Sequence, residues 1–508
     1  MRFYICPIPS YPFRMEALTV SDILEELDPK LPKHDTDLIT RAYDFALKAH
    51  QGQLRKSGEP YFIHVFETAR NLARYDMDAT TIAAGFLHDT LEDTETTEEA
   101  LEKEFGPEIV RLVKGVTKLG KVKYQGHTRH VESLRKFLMA LAEDYRVLMI
   151  KLADRLHNLR TLEHVRADKQ KRIAMESIEI YAPLADRLGI GRLKGEIEDA
   201  AFPFAYPEEA AKVLAMLEER SAMIRQSLKD VYAELMVQLA KSGVHAKKVE
   251  YRVKHAYSLW KKLRKREMSI ENVYDVVAIR IIVGTVEECY ATLGLVHSLW
   301  KPLPARIKDF IALPKLNGYQ SLHTTVFTGN GGLVEIQIRT EEMHNRAEYG
   351  IASHYLYKEA SKDGGPDAKF RWIDEFKKLN DDGTLAAPDD FLKHLKADFF
   401  NDRIYAFTPV GDVIDLPHDS SVIDFAYAVH SDIGDHASGA RVNGKFVALG
   451  TVLNSGDIVE VETRKDATPK SKWLEYAKTG LARKHIRAYL REHESGLLAR
   501  FLPKKFRG

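Results

Sequence analysis

Between about residues 36 and 200 the apolar positions recur at helical spacing. In "TRAYDFALKAH", Ala42, Phe45, Ala46 and Ala49 fall on one helical face. "TIAAGFLHDTLED", "VLMIKLADRLHNL" and "ESIEIYAPLADRLG" carry similar stripes, and no strand pattern interrupts them. An all-α domain is predicted over 36–200, after an N-terminal extension at 1–35, with amphipathic connecting helices at 201–245. The period then changes. "VVAIRIIV" (276–283) is a short, β-branched run that suits a buried strand, and "LVEIQIR" (333–339) alternates strictly. Val334, Ile336 and Ile338 face one way; Glu335, Gln337 and Arg339 face the other. With the helical "YATLGLVHSLW" between them, these predict a mixed α/β domain over 246–360. A polar linker follows at 361–398. Short strands ("RIYAFTP", "DVIDLP", "ARVNGKFVAL", "DIVEVET") around the helix "VIDFAYAVH" then predict a small α+β module at 399–463. A basic helical segment at 464–508 closes the chain.

Charge narrows the partners. The 75 Lys and Arg balance 74 Asp and Glu, so any basic surface is local and net charge predicts no nucleic-acid partner. The two cysteines, Cys6 and Cys289, are too few for a disulfide framework, which fits a reducing, cytoplasmic setting. No apolar run reaches the roughly 18–20 residues that cross a membrane. The first residues lack an A-x-A cleavage site, so no signal peptide is expected, and Met15 is an alternative start.

Two constellations carry chemistry. In "FLHDTLEDT", His88, Asp89, Glu92 and Asp93 would share a broad face of one helix. Imidazole plus carboxylate suits Mn²⁺, Zn²⁺ or Fe²⁺. His50, at the end of an apolar helix, and Asp154, directly after "VLMIKLA", are distant candidates for the same ion. A solvated acidic surface fits the same residue types, but a carboxylate where a buried face emerges is costly unless paired. In the α/β domain, Asp275 precedes the buried strand and Glu335 lies on the polar face of the alternating one, so together they can hold Mg²⁺. Around them cluster Arg252, Lys254, Arg306, Lys308, Lys315, Tyr319 and His323, a composition suited to polyphosphate. A basic helix face and a solvated strand remain open alternatives. No Walker A loop is present.

The words "RKSGEPYFIH", "GFLHDTLEDT" and "VKLADRLHNLRTL" resemble the HD hydrolase domain of the long RelA/SpoT homologues. "YDVVAIRIIV", "RIKDFIALPKLNGYQSLHTTV" and "VEIQIRTEEMHNRAEYGIASHYLYK" resemble their synthetase domain, a nucleotidyltransferase-like fold. The resemblance implies a bifunctional enzyme of the stringent response. One domain would transfer pyrophosphate from ATP to the 3′-hydroxyl of GDP or GTP, and the other would hydrolyse the (p)ppGpp formed. It implies Mn²⁺ on His50, His88, Asp89 and Asp154, with Glu92 and Asp93 positioning or deprotonating water, and Arg41, Lys56, Ser57 and Asn158 near the nucleotide. On the synthetase side it implies Mg²⁺ on Asp275 and Glu335, with Glu335 activating the hydroxyl. Arg252 and Lys254 would contact ATP, Lys308, Lys315 and His323 would bind phosphate, and Tyr319 would stack on guanine. Arg306-Ile307-Lys308-Asp309 matches the basic motif of two-way members. "FTPVGDVIDLP" and "DFAYAVH" resemble a ubiquitin-like TGS domain, which implies contact with the tRNA acceptor end through His430 on the ribosome. The zinc-finger-like and ACT domains of full-length relatives are not in this sequence.

Two other readings compete. One is a hydrolase whose α/β domain only binds nucleotide as a regulator; the other is a tRNA or ribosome sensor with degenerate catalysis. If both activities operate, nucleotide in one site is expected to disfavour the other through the 200–245 helices.

Overall fold

The computed structural model describes residues 18–27, 32–120, 143–264, 277–304, 306–315, 317–328, 332–350, 403–454 and 456–501. Asp275, Met15 and the linker expected at 361–398 lie outside them. The described residues fall into two compact units, one ending before 378 and one containing 403–501. Among them no helix is long and apolar enough to cross a membrane.

The first unit opens with helices. Lys33–Ala49 buries Ile39, Ala42 and Ala46, while Phe45 meets Phe105 edge-on at 5.4 Å. Phe62–Arg74 and Ala79–Leu87 pack beside it, the latter started by Asp78, whose carboxylate accepts from Thr81 N at 2.9 Å. Tyr145–Arg160 starts at Asp144, which accepts from Arg146 N at 3.0 Å. Burial of Leu148, Met149, Ile150, Leu152, Ala153 and Leu156 holds it in the middle of the bundle.

The boundary expected at residue 200 falls inside one helix, Gly191–Ala205. Glu196 on this helix accepts from Arg160 Nη2 of the preceding bundle at 2.7 Å. One turn on, Asp199 takes His255 Nδ1 at 2.7 Å and Tyr257 N at 3.0 Å from the α/β domain. A Cβ on Gly195 would run into the His255 ring, so that ring lies against this helix only because a glycine stands there. Phe202 joins Tyr206, Tyr257 and Trp260 in an aromatic cluster. The long helix Pro207–Ser242 then lays Leu228, Val231, Leu235 and Leu239 into the core of the sheet.

That sheet contains β1 (Lys248–Val253), β2 (Val277–Val283), β3 (Lys301–Pro302), β4 (Lys308–Asp309), β5 (Leu322–Thr328) and β6 (Gly332–Thr340). Its order is β1-β2-β6-β5-β3, with β4 also on β5. Among the described strands of this sheet only β2 and β6 pair in parallel, Ala278 opposite Glu335 and Arg280 opposite Gln337. Ile279, Ile281, Val334, Ile336 and Ile338 form the core as the alternation predicts. The opposite face is covered at three polar positions. Gln337, Arg339 and Arg280 on it are 5%, 1% and 5% exposed. Glu348, on the helix Glu341–Tyr349, accepts from Arg339 Nη2 at 3.0 Å and Arg280 Nη1 at 3.1 Å.

The second unit contains the hairpin β7 (Arg403–Phe407) and β8 (Val413–Pro417) and the three-stranded sheet β10-β9-β11. Here β9 is Ala437–Val442, β10 Lys445–Val447 and β11 Val459–Thr463. Asn443 and Gly444 both have positive φ, the turn that suits the twist of a two-residue hairpin. The helix Val422–Val429 packs Val422 and Phe425 onto this sheet. Its buried Asp424 accepts from Lys478 N and Thr479 N, both at 2.8 Å, tying down the helices Trp473–Tyr476 and Gly480–Phe501.

Candidate functional sites

Three helices bring a metal-ligand set together in the first unit. His64 comes from Phe62–Arg74, Asp154 from Tyr145–Arg160, and His88 follows the last residue of Ala79–Leu87. One ligand atom from each lies within 4.8 Å of the other two. Asp89 Oδ2 is 3.2 Å from His88 Nε2 and 3.4 Å from His64 Nε2. Asp154 Oδ1 is 3.3 Å from His64 Nε2. The helix does not continue through His88 and Asp89 as expected: it stops at Leu87 and a four-residue helix, Thr90–Asp93, begins after Asp89. That break leaves His88 and Asp89 at the joint between two helices.

Charge in this cluster favours a cation. Burial disfavours the His88 imidazolium, yet Asp89 and then Asp154 outweigh it and raise the pKa to about 9. Burial also opposes ionisation of Asp154, but Lys151, 2.6 Å away, holds its carboxyl far below the usual range. His88 Nδ1 faces the Gly85 carbonyl at 2.8 Å, so it donates and Nε2 keeps the lone pair in the neutral ring. That Nε2 is buried, and among the described residues it makes no well-aligned hydrogen bond, although Asp89 Oδ2 stands 3.2 Å away. Two imidazoles and two carboxylates converging on such an atom fit a divalent transition metal.

His50, expected as a ligand, is not in this group of three; His64, not singled out from the sequence, is. His50 caps the helix Lys33–Ala49. Its ring stacks on Tyr61 at 4.9 Å, and Nδ1 meets Gln53 Oε1 at 2.8 Å. Glu92 and Asp93 are exposed on the short helix, and Tyr61 Oη lies 2.7 Å from Asp93 Oδ2 and 2.8 Å from Asp89 Oδ2. Asn158 donates to Asp154 Oδ1 and accepts from Arg55 Nη2 at 2.7 Å. Lys56 is exposed, and Ser57 Oγ donates to Glu59 at 3.1 Å. Arg41 is engaged with the Glu104 carbonyl at 3.0 Å and lies over Phe105. The signal for His64 was its place in "YFIHVF": a histidine amid apolar residues on a buried helix face needs a polar partner.

The second site is a cavity of about 530 Å³ on the polar face of the sheet. Arg252, Lys254, Lys262, Arg306, Lys308 and Lys315 line it, with Glu335 as its carboxylate. Burial works to raise the Glu335 carboxyl, but His323 and Lys254 hold it at about 2. His323 Nδ1 lies 2.8 Å from Glu335 Oε1, and its Nε2 meets the Tyr319 hydroxyl at 2.7 Å. Lys315 Nζ sits 5.1 Å from the centre of the Tyr319 ring. Burial and then Lys254 lower Lys262 to about 7, against the pull of Glu335. The expected Arg252, Lys254, Lys308, Lys315, His323 and Glu335 all line this cavity, as do Lys262 and His255. In the second unit His430 is exposed, and its Nδ1 accepts from Asp432 N at 3.2 Å.

Three family models match the chain: an HD domain over residues 42–191, the region found in RelA / SpoT proteins over 251–362, and a TGS domain over 404–463. A guanosine-3′,5′-bis(diphosphate) 3′-pyrophosphohydrolase of Aquifex aeolicus is 45% identical over 95% of this chain and 68% of its own. A GTP pyrophosphokinase of Myxococcus xanthus is 45% identical over 91% of this chain and 61% of its own. A guanosine-3′,5′-bis(diphosphate) 3′-pyrophosphohydrolase of Vibrio cholerae is 40% identical over 93% and 67%. The chain thus spans roughly three fifths to two thirds of these curated relatives.

Proposed function

The chain belongs to the RelA/SpoT family, and on that premise we propose that it both makes and hydrolyses (p)ppGpp, at two separate sites of its first unit. The observation that supports this reading is that one chain carries both a buried His64, His88 and Asp154 cluster and a cation-lined cavity around Glu335. A regulatory nucleotide pocket would not need a desolvated carboxylate among its phosphate-binding cations.

In hydrolysis, His64, His88, Asp89 and Asp154 would hold Mn²⁺. When bound, the ion supplies hydroxide near neutral pH and neutralises charge on the pyrophosphate. Glu92 and Asp93, at the exposed edge, accept the proton of the attacking water. Arg55 and Lys56 offer charge to the nucleotide phosphates, and Ser57 and Asn158 offer hydrogen bonds. Water adds to the phosphorus borne on the 3′-oxygen, that P–O bond breaks, and GDP or GTP leaves with pyrophosphate.

In synthesis, Glu335 takes the proton of the 3′-hydroxyl of GDP or GTP. His323 donates from Nδ1 and holds the carboxylate ionised and oriented. The 3′-oxygen attacks the β-phosphorus of ATP, the bond from that phosphorus to the α–β bridging oxygen breaks, and AMP departs. Arg252, Lys254, Lys308 and Lys315 bind the charge that shifts onto the phosphate oxygens. Asp275 and Glu335 would hold Mg²⁺, which supplies further charge neutralisation. Tyr319 stacks on guanine. The second unit, by its TGS likeness, would contact a tRNA acceptor end through His430.

Incubation with ATP, GDP and Mg²⁺ tests the reading. Guanosine tetraphosphate and AMP are expected in equal amounts, and ppGpp with Mn²⁺ should release pyrophosphate. Hydrolysis without synthesis would instead favour the regulatory pocket.

A further inference from the structure

The Nδ1 atoms of His64 and His157 face each other at 2.8 Å. Both rings are buried, 3% and 5% exposed. A neutral imidazole has one N–H and one lone pair, so one of these nitrogens donates and the other accepts. A third group sets the direction. Arg55 Nη1 reaches the same His157 Nδ1 at 3.4 Å, and a guanidinium can only donate. Arg55 is itself held in place, its Nη2 on Asn158 Oδ1 at 2.7 Å and its Nη1 on Thr161 Oγ1 at 3.1 Å. His157 Nδ1 is therefore the acceptor, and His64 carries its proton on Nδ1. His64 Nε2 then keeps its lone pair, on the side where Asp89 Oδ2 and Asp154 Oδ1 lie.

We propose that His157 is the positioning residue for His64, fixing the tautomer and ring orientation that present Nε2 to a divalent cation. The inference rests on reading His64, His88 and Asp154 as a metal site. His157 stands three residues after Asp154 on Tyr145–Arg160, so one helix face supplies both a ligand and the acceptor that aligns another ligand. For His88 the Gly85 carbonyl plays the equivalent part. For His64 a side chain does, and a side chain can be replaced. Acceptors behind metal-bound histidines commonly govern affinity in this way.

The test uses the full chain and Mn²⁺ alone, titrated into metal-free protein and followed by the free-ion EPR signal, so that no turnover is needed. His157→Phe keeps a ring but removes the acceptor, and is expected to weaken Mn²⁺ about 10–100-fold. His157→Asn returns an oxygen near the place of Nδ1, and is expected within about threefold of the unsubstituted chain. Synthesis from ATP and GDP should persist in both, which reports an intact fold. Should His157→Phe not fold, ¹⁵N imidazole spectra of the unsubstituted chain loaded with diamagnetic Zn²⁺ decide: His64 bound through Nε2 and protonated at Nδ1 supports the proposal, and any other state of that ring overturns it. His64→Phe separates the two layers. If it loses Mn²⁺ while His157→Phe binds normally, the positioning role falls and the metal site stands. If His64→Phe binds normally, the metal reading falls and takes the positioning role with it.

Discussion

Glu335 and His323 sit on neighbouring strands with Oε1 and Nδ1 2.8 Å apart, and this pair is the most directly testable feature of the synthetase cavity. Glu335→Gln keeps the shape and removes the base. It is expected to lower the synthesis rate at least about 100-fold while leaving ppGpp hydrolysis unchanged. His323→Phe leaves the carboxylate without its donor and should cost less, about 10-fold, mostly in kcat. Parallel assays of both reactions on each variant check this; equal loss of both activities would point to unfolding.

The metal cluster makes contrasting predictions for Asp154 and His50. Asp154→Asn should remove hydrolysis by more than about 100-fold and spare synthesis, because it takes the charge from a buried ligand. His50→Ala should weaken Mn²⁺ less than about 10-fold, since the His50 ring packs on Tyr61 outside the group of three. Isothermal titration with Mn²⁺ decides, and a loss at His50 as large as that at Asp154 would restore it to the ligand set.

Much of this was legible in the sequence. The alternation of Val334, Ile336 and Ile338 located the sheet core, and the local cations located the cavity. What periodicity did not carry was the covering of the other sheet face: Arg339 reads as part of the polar face until Glu348, on a later helix, closes over it and over Arg280 of the buried strand. His64 was missed for a related reason. Its partners Asp89, Asp154 and His157 are 25, 90 and 93 residues away, so no local spacing announces them. The break at His88 is likewise tertiary, since the residues around it favour helix on both sides.

Acid should weaken the covered sheet face. Arg339 Nη2 donates to His344 Nδ1 at 2.6 Å; burial and this cation lower the imidazole to about 4. Burial works to raise Glu348, but Arg280 and Arg339 hold it at about 2. Both folded-state values are depressed. Between about pH 6.5 and 4 the unfolded chain binds a proton on His344 that the folded chain refuses, and between about 4.5 and 2 the same holds for Glu348. Stability therefore falls with pH through both windows, the Glu348 part on the order of 3 kcal/mol. Thermal unfolding of Glu348→Gln should show a lower Tm near neutral pH and a shallower decline below about pH 4.5.

Close packing at Gly195 gives a further prediction. A methyl there must push away His255, which lines the synthetase cavity and is clamped by Asp199. Gly195→Ala is expected to raise the KM for ATP severalfold, with hydrolysis nearly unchanged. Asp199→Asn, which weakens the same clamp without added bulk, should do so less. Steady-state synthesis assays over a range of ATP concentrations distinguish these from a general loss of fold.

The helix Gly191–Ala205 bears on how such enzymes can be recombined. The HD-domain match ends at residue 191, which suggests a natural cut. Yet Glu196 is tied backward to Arg160 and Asp199 forward to His255, with Leu193, Ile197, Ala201 and Phe202 buried between them. The next helix carries Leu228 to Leu239 into the sheet. A crossover anywhere from 191 to 242 would leave one half with a stripped face and the other with a foreign one. Exchange of the two halves between relatives is thus expected to succeed only for pairs whose versions of this helix match both neighbours.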